Sequence, residues 1–553
     1  MGINTKSFDN ASDMITFSRS SGGYGFTKVG YGSELVTNGD FATDLTGWTN
    51  SNWTWSSGSA ATTGVFGTLT QAVGARTAPK QISIEYVKTS GRVQCQLIDS
   101  TGANATVALG GATDISTLGE SPLSLIIPAG YDTIRFTTTD ATASWTIDNV
   151  SVKEVTYNSS AADATLQLTY HPNDVPRIEY NTDGTAKGLL VEEARTNISS
   201  NSLLFAPYQG IGAVASTETA PDGSTNATLV TASGNGPHRV KAGSTTILTS
   251  TGVAYSISTF VKNVDANYVQ ILNGGDGAYF ATFDLVNETV GSTGNRTTGT
   301  ITKYPDGWYR LSAVFDGTGL IANNGTYIYI APSASATYSQ GANNPGAQMH
   351  LWGFQTEAGS FPTSYIKTTG AAATRSADAA SIGVGEFGYN QSEGSLVAQY
   401  EILGSVGNAW VVVATVVGGS TYYALALGNS GFKVRWQGGI SGVNQWTLDT
   451  STTTGRTSYK QAGTYTENNF TAVDDGGTVL TDTSGLVPEN ITRFDIGNQF
   501  GAYLNGHIKS IKYYPRRLTD AQIQRLTQPI STPTLSLTFD GQATSFTEDS
   551  IHG

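Results

Sequence analysis

A single cysteine, Cys95, serves all 553 residues. No disulfide can close within the chain, and no cysteine-based zinc site can form. A disulfide-stapled secreted scaffold is excluded, so the fold must stand on its cores and its assembly. Charge is scarce as well. Only 13% of residues are Asp, Glu, Lys or Arg, and the formal net charge is −13. That balance argues against tracking a phosphate backbone and against docking on anionic lipid. Nucleic acid and membrane insertion are therefore not expected. Long apolar runs are missing too. The longest, residues 410–417, is far too short to span a bilayer and reads as a buried strand. No basic-then-apolar stretch follows Met1, so no signal peptide is expected.

The usual marks of catalysis are also sparse. The five histidines, His171, His238, His350, His507 and His552, share no zinc-ligand spacing. No Gly-x-Ser-x-Gly elbow and no phosphate-cradling loop is evident. Glu192 and Glu193 lie side by side near Arg195. Neighbours on a strand point to opposite faces, so they cannot form one acid–base pair. A buried Glu–Arg link is the expectation there, and the chain is read as no enzyme.

Glycine is what abounds, with 65 residues against 16 prolines. Short alternating stretches lie between turn-rich ones. Gln81-Ile-Ser-Ile-Glu-Tyr-Val87, Arg92-Val-Gln-Cys-Gln-Leu-Ile-Asp99 and Thr133-Ile-Arg-Phe-Thr-Thr-Thr139 put every second side chain on one face. This is the pattern of half-buried antiparallel strands. The length is too great for one core. The expected class is all-β, with several antiparallel sandwiches and little helix. The clearest helix should start at Thr519, where Gln522 completes a capping box.

Four segments carry a family resemblance. They are Gly188-Leu-Leu-Val-Glu-Glu-Ala-Arg-Thr-Asn197, Trp352-Gly-Phe-Gln-Thr-Glu357, Pro362-Thr-Ser-Tyr-Ile366 and Thr374-Arg-Ser-Ala-Asp378. Together they resemble the GLLIEEARTN, WxxQxExG, TSYIPT and TRAAD series of bacteriophage and prophage virion proteins. These are tail fibres, minor tail proteins and related appendages. Met14-Ile-Thr-Phe-Ser-Arg-Ser20 and Val175-Pro-Arg-Ile-Glu-Tyr180 extend the series, while Lys367 replaces its usual proline. Tyr255-Ser-Ile-Ser-Thr-Phe-Val-Lys262 and Tyr304-Pro-Asp-Gly-Trp-Tyr-Arg-Leu311 resemble further strands of that family.

Two more resemblances divide the chain. Glu34-Leu-Val-Thr-Asn-Gly-Asp-Phe41 and Trp145-Thr-Ile-Asp-Asn-Val-Ser-Val152 resemble the opening and closing strands of carbohydrate-binding jelly rolls. Such strands lie side by side, which suits an inserted module. Gly394-Ser-Leu-Val-Ala-Gln-Tyr-Glu401 and the run from Leu504 to Ala521 resemble the ends of a laminin-G or concanavalin-like sandwich. The expected division is a virion-attachment segment at 1–33, an inserted jelly roll at 34–155 and a connector at 156–197. A phage-type sandwich at 198–380, a laminin-G-like one at 393–529 and an extension at 530–553 follow. The extension has few anchors of its own and is expected to need a partner.

These resemblances imply a non-enzymatic structural virion protein, a tail fibre or fibre-like appendage that binds host surface carbohydrate. The alternatives are a capsid decoration or head fibre, or a glycan depolymerase tail spike. The implied partners are other virion proteins, copies of the chain in a homotrimer or symmetric particle, and a host glycan. The implied place is the virion surface, after synthesis in the host cytoplasm. Trp53 and Trp55 share parity and so one strand face, where rings would stack on sugars. Trp436 and Trp446, on either side of a glycine-rich turn, are the next candidates. Trp48 matches a core position. The jelly-roll resemblance also implies a structural calcium between Asp40 and Asp148, although Ala42 stands where an acid is usual. No other cofactor is required.

Overall fold

The computed structural model describes residues 15–529, except for short internal stretches of which 107–122, 416–424 and 244–251 are the longest. Met14 and the 530–553 extension lie outside the described residues. The chain is all-β and antiparallel, built as three sandwiches with one α-helix among the described residues.

The first sandwich grows from the alternation noted above. Strand Lys80–Ser90 buries Ile82 and Ile84, and strand Thr133–Thr138 buries Ile134 and Phe136. A seven-stranded sheet that includes Lys80–Ser90, Ser144–Tyr157 and Gly23–Glu34 faces a five-stranded one that includes Thr68–Ala72, Thr133–Thr138 and Val93–Ile98. Phe41, Trp48, Trp53, Phe136 and Trp145 fill the space between. Glu34 pairs with Lys153 and Tyr31 with Val155, so the two ends of 34–155 run side by side. The ribbon continues past the module, because Gly23–Glu34 also pairs with Thr165–His171.

The middle sandwich stacks two six-stranded sheets. One centres on Thr326–Ile330 and Tyr268–Asn273, the other on Gln348–Ala358 and Tyr255–Asn263. The turn between Thr297–Lys303 and Trp308–Phe315 needs positive φ at Asp306 (56°) and Gly307 (77°), which Asp tolerates and Gly readily adopts.

The third sandwich stacks two seven-stranded sheets, and its membership extends beyond 393–529. Thr16–Ser18 and Ala379–Gly383 lie at one end of one sheet, and Ile178–Tyr180 and Ala186–Val191 at one end of the other. The segments assigned to virion attachment and to a connector thus supply strands. Leu189 and Val191 are the reason: both are fully buried in this core beside Ile508 and Ile496. Gly188 allows the approach, since its φ is 125° and a Cβ there would lie 2.1 Å from the Ile508 carbonyl oxygen. Helix Asp520–Thr527 closes the unit with the reciprocal Thr519–Gln522 capping box.

The three sandwiches meet at a buried ionic cluster. Asp378 accepts from Arg19 Nη1 (3.1 Å), Arg177 Nη2 (2.5 Å) and the Glu192 amide (2.9 Å). Glu192 Oε2 lies 2.9 Å from Arg177 Nη1 and 3.4 Å from Arg375 Nη2. Glu192 Oε1 accepts the Ser364 amide at 2.8 Å, and Oε2 the Ser364 hydroxyl at 2.7 Å. All five ionic side chains are almost wholly buried. Three guanidiniums face two carboxylates, so carbonyls absorb the surplus. Arg19 Nη2 donates to the His171, Pro172 and Val175 carbonyls, and Arg375 Nη2 to that of Glu193. Burial and the Arg177 charge lower the Arg19 pKa to about 10, which still leaves it protonated at neutral pH. Burial alone would raise Glu192, but Arg375, Arg177 and Ser364 bring it down to about 2.

A second buried contact ties the first ribbon to the third sandwich. His507 Nε2 lies 2.7 Å from Glu179 Oε2, and Nδ1 lies 3.5 Å from Glu401 Oε2. Glu179 Oε1 accepts the Phe26 amide at 2.9 Å. Burial opposes the charge on His507, yet the hydrogen bonds and charges of its carboxylate partners win and raise its pKa above the usual 6.5.

Two predictions follow from these clusters. Asp378→Ala leaves buried guanidiniums short of a counter-charge and should cost about 3–5 kcal/mol in denaturant unfolding. A cost below about 1 kcal/mol, the range of exposed pairs, would show that the cluster does not bind the segments. The raised His507 pKa gives stability that is complete below about pH 6.5 and fades as pH climbs through the folded-state value. Unfolding midpoints measured from pH 6 to 9 should therefore fall less in His507→Gln than in the parent. Equal slopes would refute the assignment.

Candidate functional site

Of the four tryptophans singled out, the structure exposes one. Trp55 is 44% exposed, whereas Trp53 is 3% exposed and sits in the first core. The shared-parity argument fails because the chain is not one strand there. The strand begins only at Thr54, so Trp53 lies ahead of it, packed in the core, while Trp55 within it is exposed. Trp436 and Trp446 are both core residues, a correction to their reading as ligand contacts. Trp446 stacks on Phe470 at 3.7 Å, and Trp436 Nε1 donates to the Thr464 carbonyl at 3.1 Å. The nearby glycines make room for the indoles: a Cβ at Gly438 would lie 2.0 Å from the Trp446 ring. Trp48 is buried, as its position implied.

The exposed ring is held by its edge. Trp55 Nε1 donates to the Phe41 carbonyl at 2.7 Å. Phe41 itself is buried with φ 44°, which turns the chain so that its carbonyl meets the indole. Two residues back, the Gly39 carbonyl accepts the Val150 amide at 2.9 Å. The 39–41 turn therefore lies between Trp55 and the Asp148 segment, and the structure gathers Trp55, Asp40 and Asp148 at one end of the first sandwich. The ring itself sits on Thr54–Ser56, which folds back on Ser59–Thr63 through positive φ at Ser57 and Gly58.

Asp40 and Asp148 do not amount to a calcium cage. Asp148 Oδ1 accepts the Asn149 amide at 2.7 Å. Calcium takes six to eight oxygens, and among the described residues no group of three or more Asp, Glu, His or Cys side chains is placed to hold an ion. The residues present do not fit that group.

The same 35–48 loop borders a cleft of about 520 Å³, lined by Thr37, Gly47, Thr49, Thr70, Gln71, Ala72 and Thr133. Gln71 is locked by three bonds: Oε1 accepts the Thr37 amide, and Nε2 donates to the Thr37 and Gly47 carbonyls. The lining offers hydroxyls and backbone groups and no titratable side chain. Such a surface can bind a polyol through hydrogen bonds but supplies no acid, base or thiolate.

Glu192 and Glu193 are indeed divided, though not by strand geometry, since both lie in the link after Ala186–Val191. Glu192 joins the buried cluster, while Glu193 pairs with Arg195 at 2.5 Å. One group escaped the sequence reading altogether. Arg239, Tyr208, Tyr327 and Tyr329 assemble on the outward face of the middle sandwich. The alternation Tyr327-Ile-Tyr329-Ile carried the signal, since the isoleucines fill the core and leave both tyrosines on the other face.

No family model and no curated protein matches this chain. Among solved structures, the CBM22-1–CBM22-2 tandem domain from Paenibacillus barcinonensis Xyn10C is similar at 12% identity, over 59% of this chain and 98% of that one, with a TM-score of 0.17. Trypanosoma rangeli sialidase in complex with 2,3-difluoro-KDN is similar at 11% identity, over 84% and 81%, with a TM-score of 0.23. Scores this low carry no argument about function.

The two classes of tryptophan should separate in one experiment. Trp446→Ala opens a core cavity and should cost about 3–5 kcal/mol in denaturant unfolding. Trp55→Ala removes a largely exposed ring and should cost less than about 1 kcal/mol. Comparable losses in the two variants would place Trp55 in the core.

Proposed function

We propose that this chain is a structural virion protein of a bacteriophage, a tail fibre or fibre-like appendage that binds host surface carbohydrate and catalyses nothing. The observation that carries the reading is the convergence of the phage-like motifs. Arg19, Arg177, Glu192, Ser364, Arg375 and Asp378 come from five separate motifs, and Arg19 and Asp378 are 359 positions apart. Yet they are one another's partners. This supports reading the motif series as a single frame on which sandwiches are displayed. Trp55 and the hydroxyl-lined cleft support a glycan as ligand. A hydrolytic depolymerase would need two carboxylates about 5–9.5 Å apart in a groove, and the cleft lining offers none. A capsid decoration or head fibre would use the same fold at another address. Each site would be weak, and repetition in a homotrimer or symmetric particle would raise avidity.

A glycan array probed with the intact chain, run beside a reducing-sugar release assay, tests the reading. Binding without release is the expected result, and Trp55→Ala should weaken it by roughly 1–3 kcal/mol, as loss of a stacking ring does elsewhere. Release of sugar, or a chain that binds no glycan, would overturn the proposal.

A further inference from the structure

The outward face of the middle sandwich carries a cation enclosed by tyrosines. Strand His238–Ala242 sends Val240 and Ala242 into the core and Arg239 and Lys241 outward. Its neighbour Thr326–Ile330 does the same with Ile328 and Ile330 against Tyr327 and Tyr329, of which Tyr329 is itself buried beside Leu272 and Phe280. The register sets Arg239 opposite Tyr329 and Lys241 opposite Tyr327. Edge strand Phe205–Gln209 adds Tyr208, 54% exposed.

The guanidinium carbon of Arg239 lies 4.8 Å from the ring centres of Tyr208 and Tyr327, and 5.3 Å from that of Tyr329. Tyr208 and Tyr327 are themselves 4.8 Å apart and inclined at 51°. Arg239 Nη1 donates to the Tyr329 hydroxyl at 2.6 Å. Its Nε is buried with no hydrogen-bond partner among the described residues. Neither Arg239 nor Lys241 pairs with a carboxylate among the described residues, although the chain as a whole carries −13.

The rings attract the guanidinium through their quadrupoles, and this holds its position without neutralising its charge. A positioned planar cation to which no described carboxylate supplies a counter-charge suits a carboxylate or phosphate. The exposed Tyr208 ring beside it suits the apolar face of a sugar. Lys241 adds a second positive charge on the same face. We propose that this face is a second glycan site, separate from Trp55, and that it takes an anionic saccharide. The acid group is a carboxylate or a phosphate, held by Arg239, while Tyr208 stacks on the sugar ring. The assignment rests on the carbohydrate-binding reading above and adds a location and a ligand class.

Calorimetric titration of the intact chain tests it with three probes: oligogalacturonate for a carboxylate, glycerol-phosphate teichoic acid for a phosphate, and maltohexaose as a neutral control. At least one anionic probe should bind, more weakly as salt rises. Arg239→Ala and Tyr208→Ala should each weaken it roughly ten-fold, as loss of a charge-assisted pair or a stacking ring implies. Arg239→Lys should recover only part of the loss. Tyr208 is exposed, so its variant answers the question even if Arg239→Ala fails to fold. Binding of neutral glycans alone would overturn this site and leave the broader reading standing. Failure of every probe here and of every glycan on the array would overturn both. Anionic binding indifferent to Tyr208→Ala and Arg239→Ala would place the site elsewhere.

Discussion

Asp378 joins segments that lie far apart in this chain. Its two carboxylate oxygens take a guanidinium from the first strand region, a guanidinium from the 172–191 region and the Glu192 amide. Taking five charged groups out of water is costly, and it is tolerable only when each donor and acceptor finds a partner. The carbonyls around Arg19 and Arg375 supply most of that, and Arg177 finds Ser364 and the Tyr24 carbonyl, while Arg177 Nε and Arg375 Nε stay buried without a partner. Because the partners lie far apart in sequence, the cluster forms only when the segments from all three sandwiches are in place. A half-built cluster is worse than none, so the arrangement specifies one way of assembling the modules.

The remaining motif residues are braces of the same kind. Asn197 Nδ2 donates to the Phe354 and Ile366 carbonyls, and its Oδ1 accepts the Ser199 and Thr356 amides. Gln355 Oε1 accepts the Ile366 amide at 2.6 Å, and Glu357 Oε2 accepts that of Thr363 at 2.9 Å. Burial lifts the Glu357 pKa above its usual value despite those bonds. These side chains satisfy backbone groups where the 361–368 segment packs against Gln348–Ala358. A polar motif that recurs at such spacing is therefore a joint, and the ligand surfaces lie on the sheet faces and turns it leaves free.

Much of this fold was legible because alternation is a local property. Ile82 and Ile84, or Ile134 and Phe136, announce their face within a few residues, and the Thr519–Gln522 capping box lies within four. What was not legible depends on distant partners or on one bent residue. Thr16–Ser18 reads as an attachment segment until Ala379–Gly383 is beside it. Trp53 and Trp55 read as one face until the strand is seen to begin only at Thr54, after Trp53. Trp436 and Trp446 look available until Gly438 and Gly463 are seen to clear space for their rings. Arg239 has no motif of its own, and it acquires meaning only when three strands place tyrosines around it.

The central claim is that one buried cluster couples segments from across the chain. Hydrogen–deuterium exchange of an Arg19→Leu variant tests it most directly. Peptides covering 172–178, 188–194, 362–366 and 374–380 should all exchange faster together, while the core strand Tyr255–Asn263 keeps its protection. Faster exchange confined to the peptide around Arg19, with the distant segments unchanged, would contradict the account.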